Sequence, residues 1–182
     1  MDPVTPARRR PLLAIALGLL MAGVGQAQTD DAGGEVRIKA EFLYKFTAYV
    51  EWPEGALGAA DAPFVIGVQG SEAMLGELSQ AVQGRTVHAR PVQARRVRAG
   101  DVDPGVHLLF LAQGETASAR RGLLQVSEGA SGEAPPRASA IHFVVVGGRV
   151  RFDVLLDGAE RAGLRLSSRL LSVAHRVHAA TR

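Results

Sequence analysis

The first regular element that the hydrophobic pattern predicts is a helix over residues 35–51. Its apolar positions recur every three or four residues, as on one side of an amphipathic helix: Val36, Ala40, Leu43, Phe46 and Val50. Charged positions spaced by four share the opposite side: Arg37, Glu41 and Lys45. Because Pro53 disfavours the α conformation at Trp52, the helix should end there.

Strand and helix patterns alternate over the middle of the chain. Short apolar runs predict strands at residues 64–68, 86–94, 106–111 and 123–127. Ser71 is expected to cap a helix after the first of these strands, since a serine side chain can accept a hydrogen bond from a free amide of the first turn. A short helix is expected at residues 115–121. These elements predict strand–helix alternation and therefore parallel strand pairs.

The last third of the chain predicts a hairpin followed by helices. Residues 141–146 and 149–156 flank Gly147 and Gly148, which suit a two-residue hairpin turn. A turn of helix is expected at residues 157–162. Ser167 is expected to cap a terminal helix with one apolar face: Leu170, Leu171, Ala174 and Val177. The predicted fold class is α/β, with helices layered on a mixed, partly parallel sheet, a C-terminal β-hairpin and a terminal helix.

The N-terminal 27 residues have the pattern of a secretory signal peptide. Three arginines at residues 8–10 precede an uncharged apolar run at residues 12–24, and small residues stand at Gly25 and Ala27. The 13-residue run would span roughly 20 Å as a helix, short of a ~30 Å hydrocarbon core, which disfavours an uncleaved anchor. We expect cleavage after Ala27, a flexible start at residues 28–34, a single domain over residues 35–182, and a periplasmic location.

Composition excludes several classes of function. The 182-residue chain has a formal net charge of +3, and the predicted signal peptide carries much of that excess. A nearly balanced domain gives no electrostatic reason to bind nucleic acid. The chain has no cysteine, which excludes a disulfide framework, a thiol nucleophile and a thiolate metal site.

The residues that could carry chemistry have simpler structural interpretations. His175 and His178 are three apart in the predicted terminal helix, but no third metal ligand is indicated by spacing. A hydrolytic triad could be assembled from Ser167 or Ser168 with His142 and Asp153, yet the nucleophile elbow of such enzymes is missing. The turn at residues 67–70 lacks the third glycine or lysine of phosphate-binding loops. We therefore expect no enzyme activity, no metal and no cofactor.

Two clusters are candidates for partner binding. Five of the nine aromatic residues stand within eleven positions: Phe42, Tyr44, Phe46, Tyr49 and Trp52. On a helix, Phe42, Phe46 and Tyr49 share one side and Tyr44 points elsewhere, so the cluster can be a core helix or an interface. Residues 85–98 contain several arginines and no acidic residue. Of these arginines, Arg95, Arg96 and Arg98 could form a solvated strand edge or a docking patch for an acidic surface of a partner. The candidate partner-binding residues are Tyr44, Tyr49, Trp52, Arg95, Arg96 and Arg98.

The chain resembles the YfiR family of small periplasmic proteins. Residues 36–53, VRIKAEFLYKFTAYVEWP, resemble the family's opening signature, and residues 64–68 resemble its first strand. Residues 149–153 and 159–171 resemble its closing signature. The resemblance covers essentially all of the chain after the predicted signal peptide.

The resemblance implies a regulator rather than an enzyme. The best-understood members of the family bind the periplasmic domain of a membrane-bound diguanylate cyclase and lower cyclic-di-GMP synthesis on the other side of the membrane. They tend to dimerise, and an outer-membrane lipoprotein can sequester them. Redox control through disulfides does not transfer, because this chain has no cysteine and Val106 stands where many relatives have one. The alternative is a periplasmic sensor domain that binds a small ligand at a strand end.

Overall fold

The structure, a computed structural model, describes residues 27–101, 105–130 and 132–180. Its helices are α1 (Ala27–Phe46), α2 (Glu72–Val82), α3 (Leu156–Arg161) and α4 (Ser168–Val173), with a 3₁₀ helix at Thr47–Tyr49. Its strands are β1 (Val50–Glu51), β2 (Phe64–Gln69), β3 (Thr86–Val87), β4 (Arg90–Arg96), β5 (Leu108–Leu111), β6 (Leu124–Glu128), β7 (Ile141–Val146), β8 (Arg149–Leu155), β9 (Arg165–Leu166) and β10 (Arg176–His178). Residues 1–26 of the predicted signal peptide lie outside the described residues. In the described part, no helix has both the length and the hydropathy that a membrane crossing needs.

An eight-stranded mixed sheet organises the molecule, in the order β10-β8-β7-β6-β5-β2-β4-β3. The central strands from β4 to β7 pair in parallel, whereas β7–β8 and β3–β4 are antiparallel hairpins. The predicted hairpin around Gly147 and Gly148 is confirmed, and both glycines have the positive φ that its two-residue turn requires. The structure therefore confirms the predicted α/β class.

The two faces of the sheet are covered differently. Helices α1 to α4 contribute to the apolar core on one face, where Leu43, Met74, Ala159 and Leu170 are buried with the strands. On the other face, loop residues close a smaller apolar cluster over β2 and β5: Val97, Val106 and Leu123. As a consequence, helices cover one face of the sheet, and loop residues cover the other face above β2 and β5.

The first helix starts and ends earlier than predicted. Residues 28–34, expected as a flexible start, lie within α1, since no proline interrupts them and each glycine costs a helix only about 1 kcal/mol. At the other end, the helix gives way to the 3₁₀ turn after Phe46, where the Thr47 hydroxyl donates to the Tyr44 carbonyl at 2.6 Å. Val50 is extended because it pairs with Leu166 of β9. Tertiary pairing thus overrides the helical pattern of residues 47–51.

Two further predictions in the middle of the chain were wrong. Residues 86–94 form two strands rather than one, because the chain reverses at His88 and Ala89. Residues 115–121 are not helical. Carbonyls of this stretch accept side-chain hydrogen bonds from the sheet instead, from Gln69 Nε2 to Thr116 O at 3.2 Å and from Gln125 Nε2 to Ser118 O at 2.7 Å.

The two ends of the domain pack together. Strand β1 pairs with β9, and the Ser167 amide donates to the Tyr49 carbonyl at 2.9 Å. Ser167 caps α4 as predicted, through a bond to the Leu170 amide, and Leu170 is buried in the main core. Val177 is not on that helix face: it lies in β10 and is 44% exposed, because α4 ends at Val173.

Gly158 provides a test of how α3 meets the sheet. A Cβ at this position would lie 1.9 Å from the Ser139 carbonyl oxygen, so any side chain forces the two backbones apart. We expect Gly158→Ala to lower the free energy of unfolding by at least about 1–3 kcal/mol, measured by urea unfolding. Gly76→Ala in α2 is the matched control, since nothing lies within 4 Å of its added Cβ, and it should stabilise the protein by about 1 kcal/mol. Equal effects of the two changes would contradict this packing.

Candidate partner-binding surface

The aromatic residues of the first segment divide between the core and a surface groove. Phe46 is 1% exposed, and its ring lies 5.8 Å from Phe143 and 4.9 Å from Phe152. Phe42 stacks on Phe46 at 5.8 Å and also meets Phe152. The two phenylalanines therefore bind α1 to the hairpin β7–β8, as a core helix requires.

Tyr44 faces the opposite direction, toward the edge strand β3. Its hydroxyl donates to the Thr86 carbonyl at 3.2 Å, and the guanidinium of Arg85 lies 4.7 Å above its ring. Arg85 is held there by two hydrogen bonds to Glu41, at 3.0 and 3.1 Å. The sequence correctly separated Tyr44 from Phe42 and Phe46.

A groove of about 410 Å³ lies between the end of α1 and the β3–β4 hairpin, lined by Tyr44, Lys45, Thr47, Ala48, Tyr49, Thr86, Val87 and His88. Tyr49 was predicted on the side of the two phenylalanines, but the 3₁₀ turn redirects it to this groove. Ala48 and Lys45 are exposed along it, while the two tyrosines are half-buried. The groove therefore presents the partly exposed rings of Tyr44 and Tyr49 to solvent.

The hairpin turn beside the groove has a strained backbone. His88 and Ala89 have φ angles of 50° and 61°, in the region that favours glycine. Such conformations cost of order 1 kcal/mol or more each, and they concentrate at functional sites. The turn holds the exposed His88 against the groove. Sequence analysis missed it because neither residue has the glycine or asparagine that marks such a turn.

Trp52 lies beneath this turn rather than in the groove. Its ring is edge-on to Phe64 at 5.2 Å and to His88 at 5.7 Å. Among the described residues, its buried Nε1 has no hydrogen-bond partner. Trp52 therefore supports the groove from below and links His88 to the core.

The three arginines considered as a docking patch do not all lie on one face of the sheet. Arg95 and Arg96 are successive residues of β4, so they point to opposite faces of the sheet, and Arg96 forms an ion pair with Glu72. Arg98 follows the strand and is exposed. All three stand at the far end of β4 from His88, roughly 20 Å along the strand. The structure does not bring them to the aromatic groove.

A second cluster of polar side chains joins β8 to β10. Asp153 accepts hydrogen bonds from His175 Nδ1 at 2.9 Å and from His178 Nε2 at 3.0 Å. The prediction that both histidines share a helix was wrong, because α4 ends before them and β10 pairs in parallel with β8. In the part of the chain described, no group of three histidine or acidic side chains is arranged to hold a metal ion.

The electrostatics of this cluster centre on Asp153. Burial by itself raises the pKa of Asp153, but the hydrogen bonds from His178 and His175 outweigh it and hold the pKa below its ordinary value. A carboxyl group with a lowered pKa stabilises the folded state above its unfolded pKa, and this contribution disappears as the pH falls through the folded pKa. The strand β10, whose three side chains are exposed, is held to β8 by backbone pairing and by the hydrogen bond of His178 to this carboxylate.

His142 does not join Asp153 in a triad. Its Nδ1 lies 2.9 Å from the Ser127 hydroxyl, while Asp153 is occupied by the other two histidines. Burial lowers the pKa of His142, so the imidazole is neutral at neutral pH. Ser127 is 0% exposed, and Ser167 caps α4. The arrangement therefore gives no accessible nucleophile next to His142.

The turn after β2 does not have an open anion site. Gly70 has the positive φ of a tight turn, and a Cβ there would lie 2.5 Å from the Glu115 side chain. Glu115 accepts a hydrogen bond from Gln69 Nε2 at 2.6 Å. Because a carboxylate occupies the space beside the first turn of α2, a bound phosphate would be repelled there.

Lys39 is a buried charge on α1 that the sequence pattern did not single out. Its ammonium lies 2.5 Å from Glu35 and 2.6 Å from Glu128 at the end of β6. Burial lowers the pKa of Lys39, but the hydrogen bonds to Glu128 and Glu35 outweigh it and the net pKa is raised. The group is therefore charged and ties α1 to the sheet, and only the fold brings Glu128 to it.

Removing the charge of Asp153 should weaken the C-terminal strand. We expect Asp153→Asn to lower the free energy of unfolding at pH 7 by about 1–3 kcal/mol, since it loses two charge-assisted hydrogen bonds. The gap between parent and variant should begin to narrow as the pH falls below about 4, the ordinary pKa of a carboxyl group, and should close as the pH falls through the lowered pKa of the folded protein. Unfolding titrations at several pH values measure this gap. A gap of the same size at pH 3 would contradict the role of the charge, and Asp61→Asn in an exposed loop is the control.

The sequence of the chain was compared with those of known proteins and protein families. Among curated proteins, no sequence matches this chain. The model of the YfiR/HmsC-like family matches residues 36–175, which include α1 from Val36 onward, every strand of the eight-stranded sheet except β10, and the groove. At the level of the family, this match supports a regulator associated with a diguanylate cyclase pathway. The chain belongs to the YfiR/HmsC-like family.

Proposed function

We propose that this protein is an exported, non-enzymatic regulator that binds the periplasmic domain of a membrane receptor, a diguanylate cyclase, and represses its signalling. The observation that carries the proposal is the groove of Tyr44, Tyr49 and His88 at the end of α1. Family membership supports the pathway, and the groove supports the mode of action.

The groove has the features of a protein interface rather than of a packing defect. Tyrosines are enriched in binding hot spots because they offer a large, rigid contact area with a polar end. Two strained, non-glycine residues hold the adjacent turn, although a relaxed turn would stabilise the fold more. A strained surface turn next to two half-buried tyrosines is consistent with a site selected for binding.

The polar clusters support a binding role over catalysis. Ser127 next to His142 is the arrangement closest to a nucleophile and base, and it is buried. Asp153 holds β10 through two histidines instead of orienting His142. In the described part of the chain, Ser127, His142 and Asp153 therefore make contacts that hold the fold together.

A small-ligand sensor is the second candidate. A cavity of about 550 Å³ lies on the loop-covered face of the sheet, next to β2 and β5. The strand order reverses between these two strands, and ligands in open α/β sheets bind near such points. Its lining mixes polar and apolar side chains, among them Gln69, Leu109 and Ser118. If the purified protein retained a small molecule, this would favour the sensor function over the regulator function.

The proposed regulatory function can be tested with a substitution that fills the groove and leaves the core unchanged. Deleting the gene should raise intracellular cyclic-di-GMP, because the cyclase is released from repression. Restoring the parent chain should reverse the rise, while Ala48→Arg should not, since Ala48 is exposed in the groove and an arginine there blocks it. Cyclic-di-GMP is quantified in cell extracts by mass spectrometry.

The matched control is Ala73→Arg, at an exposed position of α2 outside the groove, which should repress as the parent does. Equal periplasmic amounts of both variants show that folding and export are unaffected. Unchanged cyclic-di-GMP after gene deletion would contradict the cyclase as target. Repression by Ala48→Arg equal to that of the parent would contradict the groove.

A further inference from the structure

The hairpin β7–β8 extends past both of its neighbours in the sheet. Strand β6 pairs with β7 only up to Phe143, and β10 pairs with β8 only from Asp153 onward. Residues 144–151 pair only with each other, ending in Val146 opposite Arg149. At 3.3 Å per residue, the unpaired half of the hairpin projects by roughly 10 Å.

The projecting end is apolar at its tip. Val145 is 50% exposed and Val146 is 43% exposed, on either side of the hairpin and just before the two glycines of the turn. Val173, 62% exposed at the end of α4, lies in the same shallow surface as Val146. Exposed valines at a protruding tip are an unfavourable arrangement in water unless a partner covers them.

The apolar tip is bordered by positive charge. Arg149 and Arg151 line the surface that Val146 and Val173 share, and residues 144–151 contain no acidic side chain. Within the described part of the chain, neither guanidinium forms an ion pair. A partner that fits this surface combines an apolar layer with negative charge around it.

We propose that the β7–β8 hairpin docks on an anionic lipid bilayer. Interfacial segments bury apolar side chains about 5–10 Å into the boundary between headgroups and acyl chains, which matches the length of the projection. Arginines at that depth meet lipid phosphates, to which their planar guanidinium groups bind with two parallel hydrogen bonds. A second copy of the chain would place equal positive charges against each other, so the charge favours lipid.

This docking site is separate from the aromatic groove. The hairpin occupies positions near one edge of the sheet, and β3 forms the other edge, roughly 25 Å away at about 4.8 Å per strand. A membrane-bound protein would therefore leave the groove of Tyr44 and Tyr49 open. The inference does not depend on the proposed cyclase partner.

The absence of cysteine makes a site-specific test possible. Val146→Cys places one thiol at the tip for an environment-sensitive fluorophore, and Gln80→Cys places the same label on the exposed side of α2 as control. With vesicles of phosphatidylcholine and phosphatidylglycerol, emission from position 146 should shift to the blue and that from position 80 should not. Vesicles of phosphatidylcholine alone should bind more weakly, and added salt should weaken binding to the anionic vesicles.

The arginine contribution is measured in the same assay. Arg149→Gln together with Arg151→Gln should weaken binding to anionic vesicles by roughly 30-fold, at about 1 kcal/mol for each charge near the surface. No shift at position 146, or an equal shift at both labelled positions, would overturn the proposal. A shift that grows with protein concentration in the absence of vesicles would also overturn it, since the tip would then be covered by a second copy.

Discussion

The contact between Phe46 and the two phenylalanines of the β7–β8 hairpin determines how the rest of the molecule is arranged. It joins the beginning of the domain to a strand pair near its end, and it buries three rings in one place. Aromatic pairs of this kind contribute about 0.5–1.5 kcal/mol beyond the area that they bury. Once α1 is packed against the β7–β8 hairpin, the chain that follows must reverse its direction. The 3₁₀ turn makes this reversal, and β1 then pairs with β9.

The groove is a consequence of that constraint. Because Phe42 and Phe46 face the hairpin, Tyr44 faces the edge strand β3, where its hydroxyl bonds to Thr86. The 3₁₀ turn then brings Tyr49 beside it, and the strained turn adds His88. The same segment thus serves the core on one side and a surface on the other. The core interpretation of the aromatic cluster therefore applies to Phe42 and Phe46. The interface interpretation stays a proposal for Tyr44 and Tyr49.

Local sequence signals predicted much of the fold. The apolar runs of β2 and β5, the serine caps at Ser71 and Ser167, and the glycine turn of the hairpin were confirmed because each depends on neighbouring residues. The errors arose where distant partners decide the conformation. Val50 is extended because of Leu166, and His178 is in a strand because of Asp153 and β8.

The candidate site was only partly predictable for the same reason. The helical period separated Tyr44 from the phenylalanines, but it placed Tyr49 on the wrong side. The arginines looked continuous in sequence and fall on different faces of the sheet, since strand residues alternate. His88 and the pairing of Lys39 with Glu128 carry no local signal, because residues far apart in the chain create them.

The proposed contact between the groove and a diguanylate cyclase can be tested directly. A photoreactive phenylalanine analogue at Ala48, exposed in the groove, can be cross-linked in living cells and the adduct identified by mass spectrometry. We expect an adduct with peptides from the periplasmic domain of a membrane diguanylate cyclase, and no such adduct when the analogue replaces Ala73 of α2. The same cyclase peptides from both positions, or from neither, would contradict it.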